Sequence, residues 1–249
     1  MDILRIATLN VNGLSSPARQ DMLNAFVRLH NIHILLMQEV THPFNPGFQG
    51  CTIHYNIGTS RRGTAILTRD TTVVTNLSSI PSGRAIAATL GILHVINVYA
   101  PFGTSKRAER ESFNNDLPFF LESASDNILL GGDFNCVQEV ADSTGQGSFS
   151  RSLATLVQGY ALRDAWQARP VSHAYTHNTI HGTTRTDRFY LLRDLLTRKT
   201  GIATVAAAFT DHLAVVLRLS WSTLLTRRGR DTWKLNSDIL TSDHVTEAL

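Results

Sequence analysis

Residues 127–135 read Asn-Ile-Leu-Leu-Gly-Gly-Asp-Phe-Asn, an apolar run closed by two glycines, a carboxylate, an aromatic ring and a carboxamide. The run has the length of a buried strand, so Asp133 and Asn135 fall where that strand ends. Alternate residues of an extended chain share a face. Asp133 and Asn135 are therefore expected to address one phosphate while Phe134 turns into the core. Taken alone, the string also reads as an ordinary strand end with an Asp-Asn turn, and the rest of the chain decides.

Ile3 to Leu9 and Ile34 to Gln38 read as strands around a helix that starts at Ser15-Ser16-Pro17 and carries Met22, Leu23, Phe26 and Val27 on one face. Further strands are expected at Thr52 to Asn56, Thr64 to Thr68, Ala85 to Leu90 and Leu93 to Val98. Lys106 to Ser123 looks helical with Phe113, Leu117, Phe120 and Leu121 inward, and Pro118 must kink or divide it. Ser150 caps a helix carrying Leu153, Leu156 and Val157. Strands return at Ala174 to His177, Thr184 to Leu191, Ala203 to Phe209 and Ala214 to Leu219. Few helices among many strands predict an α/β protein of two packed sheets with helices outside, rather than a βαβ repeat. Residues 1–220 are expected to form one domain, and 221–249 a basic, polar linker or appended segment.

With 249 residues, 43% of them hydrophobic, the chain can bury a large core. Its net charge of +3 is compatible with a polyanionic partner without establishing one. The longest apolar runs, Ile32 to Met37 and Val205 to Phe209, are far shorter than the roughly 18 residues of a membrane span. Met1 to Arg5 lacks the sections of a signal peptide, so secretion is not expected. Cys51 and Cys136 do not make a disulfide framework and suit a reducing compartment.

Polar clusters stand at the ends of apolar strands: Asn10-Val11-Asn12, Gln38-Glu39, Asp133-Phe134-Asn135 and Asp211-His212, with Asn97 to Pro101 and Thr186-Asp187-Arg188 between them. If those strands lie side by side, carboxylates, carboxamides, a phenol and an imidazole converge on one patch. Phosphodiester hydrolysis needs such a set, together with a divalent metal, an activated water and donors for the non-bridging oxygens. Glu39 suits the metal, because Mg²⁺ prefers one or two carboxylates and keeps several waters.

The segments TLNVNGL (8–14), QE (38–39), NVYAP (97–101), GGDFN (131–135), TRTDR (184–188) and TDH (210–212) resemble, in order and approximate spacing, the endonuclease/exonuclease/phosphatase superfamily. Within it the chain looks most like the AP-endonuclease-like domain of LINE, or non-LTR, retrotransposon polyproteins. Leu162 to Trp166, the Ala174-Tyr175-Thr176 segment and the tail residues Arg228 to Asn236 carry that narrower likeness. The resemblance implies a DNase I-like four-layer α-β-β-α sandwich of two mixed sheets. It implies a Mg²⁺-dependent endonuclease, with Mn²⁺ as a substitute, that nicks one strand of double-stranded DNA and leaves a 3′-hydroxyl to prime reverse transcription. A downstream reverse transcriptase domain of the same polyprotein and a nuclear site of action follow from it, and no membrane partner is expected.

Carried onto this chain, the resemblance makes Glu39 the principal metal ligand, with Asn10 holding a metal-bound water or a carboxylate. Asp133 would orient or deprotonate the attacking water, and Asn135 would donate to the phosphate or to that water. Asp187 would fix His212 as an imidazolium, Tyr99 would hydrogen-bond the phosphate, and Asp211 would support the metal or the water network. On the DNA side stand Asn12, Arg61, Arg62, Arg185, Thr210 and a hairpin from His177 to Thr183 that includes Asn178, Thr179 and His181. Thr186 is a departure, since the family pattern has an apolar residue there. A cellular AP endonuclease, another phosphodiesterase or phosphatase of the same fold, and a catalytically silent nucleic-acid-binding module remain as alternatives. A lesion enzyme needs an aromatic pocket before the Asp-His pair; Ala206-Ala207-Ala208-Phe209 offers one aromatic.

Overall fold

The computed structural model describes residues 3–43, 49–59, 62–122, 127–145, 147–166, 175–179 and 182–221. The first sheet holds β1 (Ile3–Asn10), β2 (Ile34–Val40), β3 (Cys51–Ile57), β4 (Gly63–Arg69), β13 (Lys199–Ala206) and β14 (Leu213–Ser220), in the order β13-β14-β1-β2-β4-β3. The second holds β5 (Val74–Ser79), β6 (Ala85–Leu90), β7 (Leu93–Tyr99), β8 (Ile128–Asp133), β9 (Arg163–Asp164) and β12 (Asp187–Leu191), in the order β5-β6-β7-β8-β12-β9. Both sheets are mixed in the same way. A central parallel pair, β1 with β2 and β7 with β8, is flanked by antiparallel neighbours. A short hairpin of β10 (His177–Thr179) and β11 (Gly182–Thr184) forms a separate two-stranded sheet.

A parallel pair needs a crossover, and helices supply both. The first is α1 (Pro17–Leu29), capped by the Ser16 side chain, which accepts from Arg19 N. Leu23, Phe26 and Val27 are buried on its inner face, whereas Met22 is 48% exposed. Met22 lies about 90° from the centre of that stripe and falls at its edge. The second crossover is α2 (Arg107–Asp116) and α3 (Pro118–Leu121), divided at Pro118, with Phe113, Leu117, Phe120 and Leu121 buried as expected. Ser150 caps α4 (Arg151–Gly159), and α5 (Arg193–Thr197) links β12 to β13.

Three apolar layers follow from the strand alternation. Leu4, Ile6, Leu36, Val95, Leu129, Phe189 and Leu217 fill the space between the sheets. Leu9, Leu35, Met37 and Leu67 pack under α1, and Ile96, Val98, Leu130 and Phe134 pack under α2, α3 and α4. The molecule is therefore the four-layer α-β-β-α sandwich expected. Among the described residues no helix is long and apolar enough to cross a membrane.

Several boundaries differ from the sequence reading. The strand expected over Thr184 to Leu191 breaks at Arg185-Thr186, whose backbone bonds to Asp142 O and Phe134 N in neighbouring loops. The strand expected over Ala203 to Phe209 runs from Lys199 to Ala206 instead, and Ala207 and Phe209 turn into the core under α1. Edge strand β5 was not expected: Leu77 is exposed and Asn76 has φ 50° at a register shift. The strand expected at Ala174 to His177 starts at His177, with Ala174 outside the described residues. Residues 222–249 of the expected tail also lie outside them.

Two features of the core bear on what sits above it. Gly131 lets the sheets approach, since a Cβ there would stand 2.6 Å from the Phe189 ring and 2.9 Å from Leu36 Cδ1. One step toward the strand ends lies a buried polar layer. Gln38 Nε2 donates to Thr8 Oγ1 (3.0 Å) and Asn97 Oδ1 (2.7 Å), and Asn97 Nδ2 donates to the carbonyls of Met37 and Ala65 (2.9 Å each).

Candidate active site

The parallel pairs end at one edge of the sandwich. Asn10 closes β1, Glu39 is the second-to-last residue of β2, Tyr99 closes β7 and Asp133 closes β8. Antiparallel β12 begins there with Asp187 directly opposite Asp133, and His212 immediately precedes β14. Glu39 has φ 58° at a register shift between Gln38 and Val40, where the extra residue turns its carboxylate out of the pleat. Asn12 (φ 45°) and Asn135 (φ 49°) are left-handed as well. Asn135 therefore does not join Asp133 by extended alternation. A turn does it, with Asn135 N donating to Asp133 Oδ1 at 3.0 Å. Phe134 points into the core as expected.

The side chains form two hydrogen-bonded groups, which Thr210 joins through backbone atoms. Asn10 Nδ2 donates to Glu39 Oε1 (3.2 Å) and Asp133 Oδ2 (3.0 Å), while its Oδ1 accepts from Asn12 N (3.0 Å). Tyr99 Oη donates to Glu39 Oε1 at 3.0 Å, and Arg62 pairs with Glu39 Oε2. His212 Nδ1 lies 3.0 Å from Asp187 Oδ2, which also accepts from Thr186 Oγ1 at 3.2 Å. Thr186, a departure from the family pattern, thus steadies the carboxylate that holds the imidazole. Asp187 N and Thr186 N both donate to Thr176 Oγ1 at 3.2 Å. Thr210 Oγ1 donates to Asn10 O at 2.8 Å and accepts from His212 N at 3.3 Å, which ties the last motif to the first.

Burial and neighbouring charges tune these groups in opposite directions. Burial, then the Asp187 charge, push the Asp133 carboxyl up to about 6. Burial opposes charge on His212, but the Asp187 carboxylate overcomes it and the imidazole is pushed up to about 10. Burial, then Glu39, push the Tyr99 phenol up to about 12, so it stays a donor.

A pocket of about 310 Å³ opens over the network. It brings together Asn10, Asn12, Glu39, Arg62, Asp133, Asn135, His177, Asp211 and His212. Tyr99, Asp187 and Thr210 join by hydrogen bonds. Asn12 Nδ2 reaches Asp211 Oδ1 at 3.4 Å, and His177 Nε2 lies 3.6 Å from Asp211 Oδ2. The hairpin carries Asn178 exposed and Thr179 on β10. Arg185 is not on the surface. It is 6% exposed and pairs with Asp142 Oδ1 (2.7 Å) and Asp164 Oδ2 (2.6 Å), beside Arg188 on Asp142 Oδ2 (2.6 Å). Arg61 and His181 lie outside the described residues.

Phe102 was missed by sequence reasoning. It lines the pocket while 65% exposed, and the only signal was an aromatic residue just past a strand-end Pro. Thr176 entered only through the family likeness of its segment, and its support of Asp187 was not expected, because a lone Thr ahead of a hairpin gives no local sign of such a contact.

The donor set fits a hard divalent cation. Glu39, Asp133 and Asp187 offer oxygens, and ligand atoms of Asp133, Asp187 and His212 lie within 4.8 Å of one another. Asp187 Oδ1 is buried without a hydrogen-bond partner among the described residues. Of these groups Glu39 is the most open to the pocket, whereas His212 Nδ1 is already committed to Asp187.

The model of the Endonuclease/Exonuclease/phosphatase family matches residues 7–244. The chain is 26% identical over 259 residues to the Transposon TX1 uncharacterized 149 kDa protein of Xenopus laevis, a match covering 95% of this chain. The chain spans 19% of that relative's length. Its fold is similar to the endonuclease domain of TRAS1, a telomere-specific non-LTR retrotransposon, with TM-score 0.68 and 14% identity over 91% of this chain and 100% of that one. It is similar also to an AP endonuclease from Archaeoglobus fulgidus (TM-score 0.75, 21% identity, 88% and 100% covered). A 3′ phosphatase, NExo from Neisseria, bound to a product DNA hairpin, gives TM-score 0.76 at 21% identity, again over 88% and 100%.

Proposed function

This chain belongs to the endonuclease/exonuclease/phosphatase family, and we propose that it is the endonuclease domain of a retrotransposon polyprotein, a Mg²⁺-dependent enzyme that nicks one strand of double-stranded DNA. The nick leaves a 3′-hydroxyl that primes reverse transcription by a downstream domain, in the nucleus. The observation that carries this reading is the convergence of Asn10, Glu39, Asp133, Asp187 and His212 at one edge of the sandwich, linked through Thr210, in a chain aligned over 95% of its length with a transposon protein.

Glu39, braced by Asn10 and Tyr99, would hold the divalent cation. Mg²⁺, or Mn²⁺ in its place, would supply charge neutralisation for the phosphodiester. Asp133 accepts the proton of the attacking water, a task suited to a carboxylate whose basicity burial has raised. Asn135 is held in plane by its Nδ2 donation to Ala100 O at 2.8 Å, which leaves its Oδ1 and second N–H for the water or the phosphate. His212 is a charged donor to a non-bridging oxygen, kept charged by Asp187. Asp211 orients His177 and Asn12 at the rim.

Lesion repair fits less well. Phe209, the aromatic ahead of Thr210, is 7% exposed and packed in the core under α1, where it cannot line a sugar pocket.

The test is incubation of supercoiled plasmid with Mg²⁺ and the intact chain, Glu39→Ala or His212→Ala, followed by primer-extension mapping. Nicks that need Mg²⁺ and both residues and recur at one sequence in undamaged DNA are expected. Cleavage confined to abasic DNA would assign the chain to repair instead. Cleavage of neither substrate would leave a phosphatase or a silent binding module.

A further inference from the structure

Glu39 uses its two oxygens unequally. Oε1 accepts from both Asn10 Nδ2 and Tyr99 Oη, which fills its lone pairs, and Oε2 faces Arg62 Nη1. Any cation that Glu39 takes must therefore come to Oε2, within hydrogen-bonding distance of a guanidinium. Charges of +1 and +2 at that separation repel strongly even when partly screened.

Arg62 is built to give way. Its backbone is fixed: Arg62 O accepts from Gly58 N at 3.3 Å, and a Cβ on Gly83 would meet Arg62 O at 2.7 Å, so the main chain is wedged between two turns. Its side chain is 53% exposed, against 15% for Glu39, and it lines the same pocket as Asn10, Asp133, Asn135 and His212. A guanidinium that leaves Glu39 stays at the pocket wall, where a planar fork suits a phosphate.

We propose that Arg62 is an exchangeable counter-ion of the site: it neutralises Glu39 until a divalent cation enters, and the displaced guanidinium then grips the phosphodiester. The metal thereby switches on a phosphate contact that the protein otherwise spends on its own carboxylate. This rests on Glu39 being the metal ligand. It requires that Arg62 oppose metal binding and favour DNA binding, two effects of opposite sign from one side chain.

The experiment counts free Mn²⁺ by electron paramagnetic resonance, without DNA, for the 249-residue chain, Arg62→Ala, Arg62→Lys and Glu39→Gln. Affinity of each for a short duplex is then measured in Ca²⁺. Arg62→Ala should bind Mn²⁺ roughly 1.5- to fivefold more tightly, the size set by an exposed ion pair, and the duplex at least about threefold more weakly. Arg62→Lys should lie between the two, and Glu39→Gln should lose at least about tenfold in Mn²⁺ affinity. Unchanged or weaker Mn²⁺ binding by Arg62→Ala, with Glu39→Gln impaired, would overturn the counter-ion role and leave the metal site standing. Tighter Mn²⁺ binding with full duplex affinity would overturn the phosphate grip. Undiminished Mn²⁺ binding by Glu39→Gln would remove the metal assignment itself.

Discussion

The imidazole of His177 lies flat against that of His212, with ring centroids 4.4 Å apart and planes 16° from parallel. The same residues form a backbone bridge, and Leu213 N donates to Thr176 O at 2.7 Å, so the hairpin is stitched to the segment that carries His212. Burial, then the charge on His212, lower the His177 imidazole below its ordinary value. Two charged rings this close would repel, so charge on His212 disfavours charge on His177.

Asp187→Asn should lower the His212 titration midpoint from about 10 by more than about two units, read by NMR of the imidazole. The folded-state value lies above the ordinary 6.5, so the pair's contribution to stability is complete below about pH 6.5 and is lost as pH rises toward 10. The alkaline limb of phosphodiester cleavage should move toward neutrality in the variant. An unmoved midpoint would refute the pairing.

Removing Asp142 should destabilise the fold. Burial would raise its carboxyl, but Arg188 and then Arg185 outweigh this and hold it below its ordinary value. Asp142→Asn leaves two buried guanidinium groups short of charge, and a loss of about 3–5 kcal/mol in urea unfolding is expected. Arg185→Ala should likewise cost stability. A loss of DNA affinity with unchanged unfolding would return Arg185 to the DNA side.

Gly132→Ala should be severe. Its φ of 143° disfavours any side chain, and the added Cβ would stand 2.0 Å from Val98 O in the neighbouring strand. At least about 3 kcal/mol of destabilisation is expected, above the range of ordinary overpacking. An unfolding midpoint within error of the parent would show that β7 and β8 can part locally.

Phe102→Ala should raise KM for duplex DNA severalfold and leave kcat within about twofold, since a ring at the rim can stack on a nucleotide without touching the reacting atoms. Equal loss in kcat would place the ring nearer the chemistry than its exposure implies.

The sequence was legible wherever an apolar strand ran into a polar strand end. Asn10, Glu39, Asp133 and His212 announce themselves locally, and their convergence follows once the parallel pairs are centred in both sheets. Arg185 misled because its neutralisation depends on Asp142 and Asp164, which lie 43 and 21 residues away in the chain. A charge beside a strand reads as surface until such partners are known. Asn135 was placed correctly beside Asp133 for the wrong reason, because a left-handed turn and an extended strand both bring residues i and i+2 together.

The buried carboxamide layer of Gln38 and Asn97 has a consequence for how the protein fails. Glu39 and Asn10 hang from one sheet, while Tyr99, Asp133 and Asp187 hang from the other, so the reacting groups meet only while the sheets keep their alignment. Oil between sheets tolerates slippage; a directional bond of 2.7 Å from Gln38 to Asn97 does not. The layer acts as a dowel, and turnover becomes a gauge of sheet docking: a chain that has slid by one residue keeps its secondary structure and loses its chemistry.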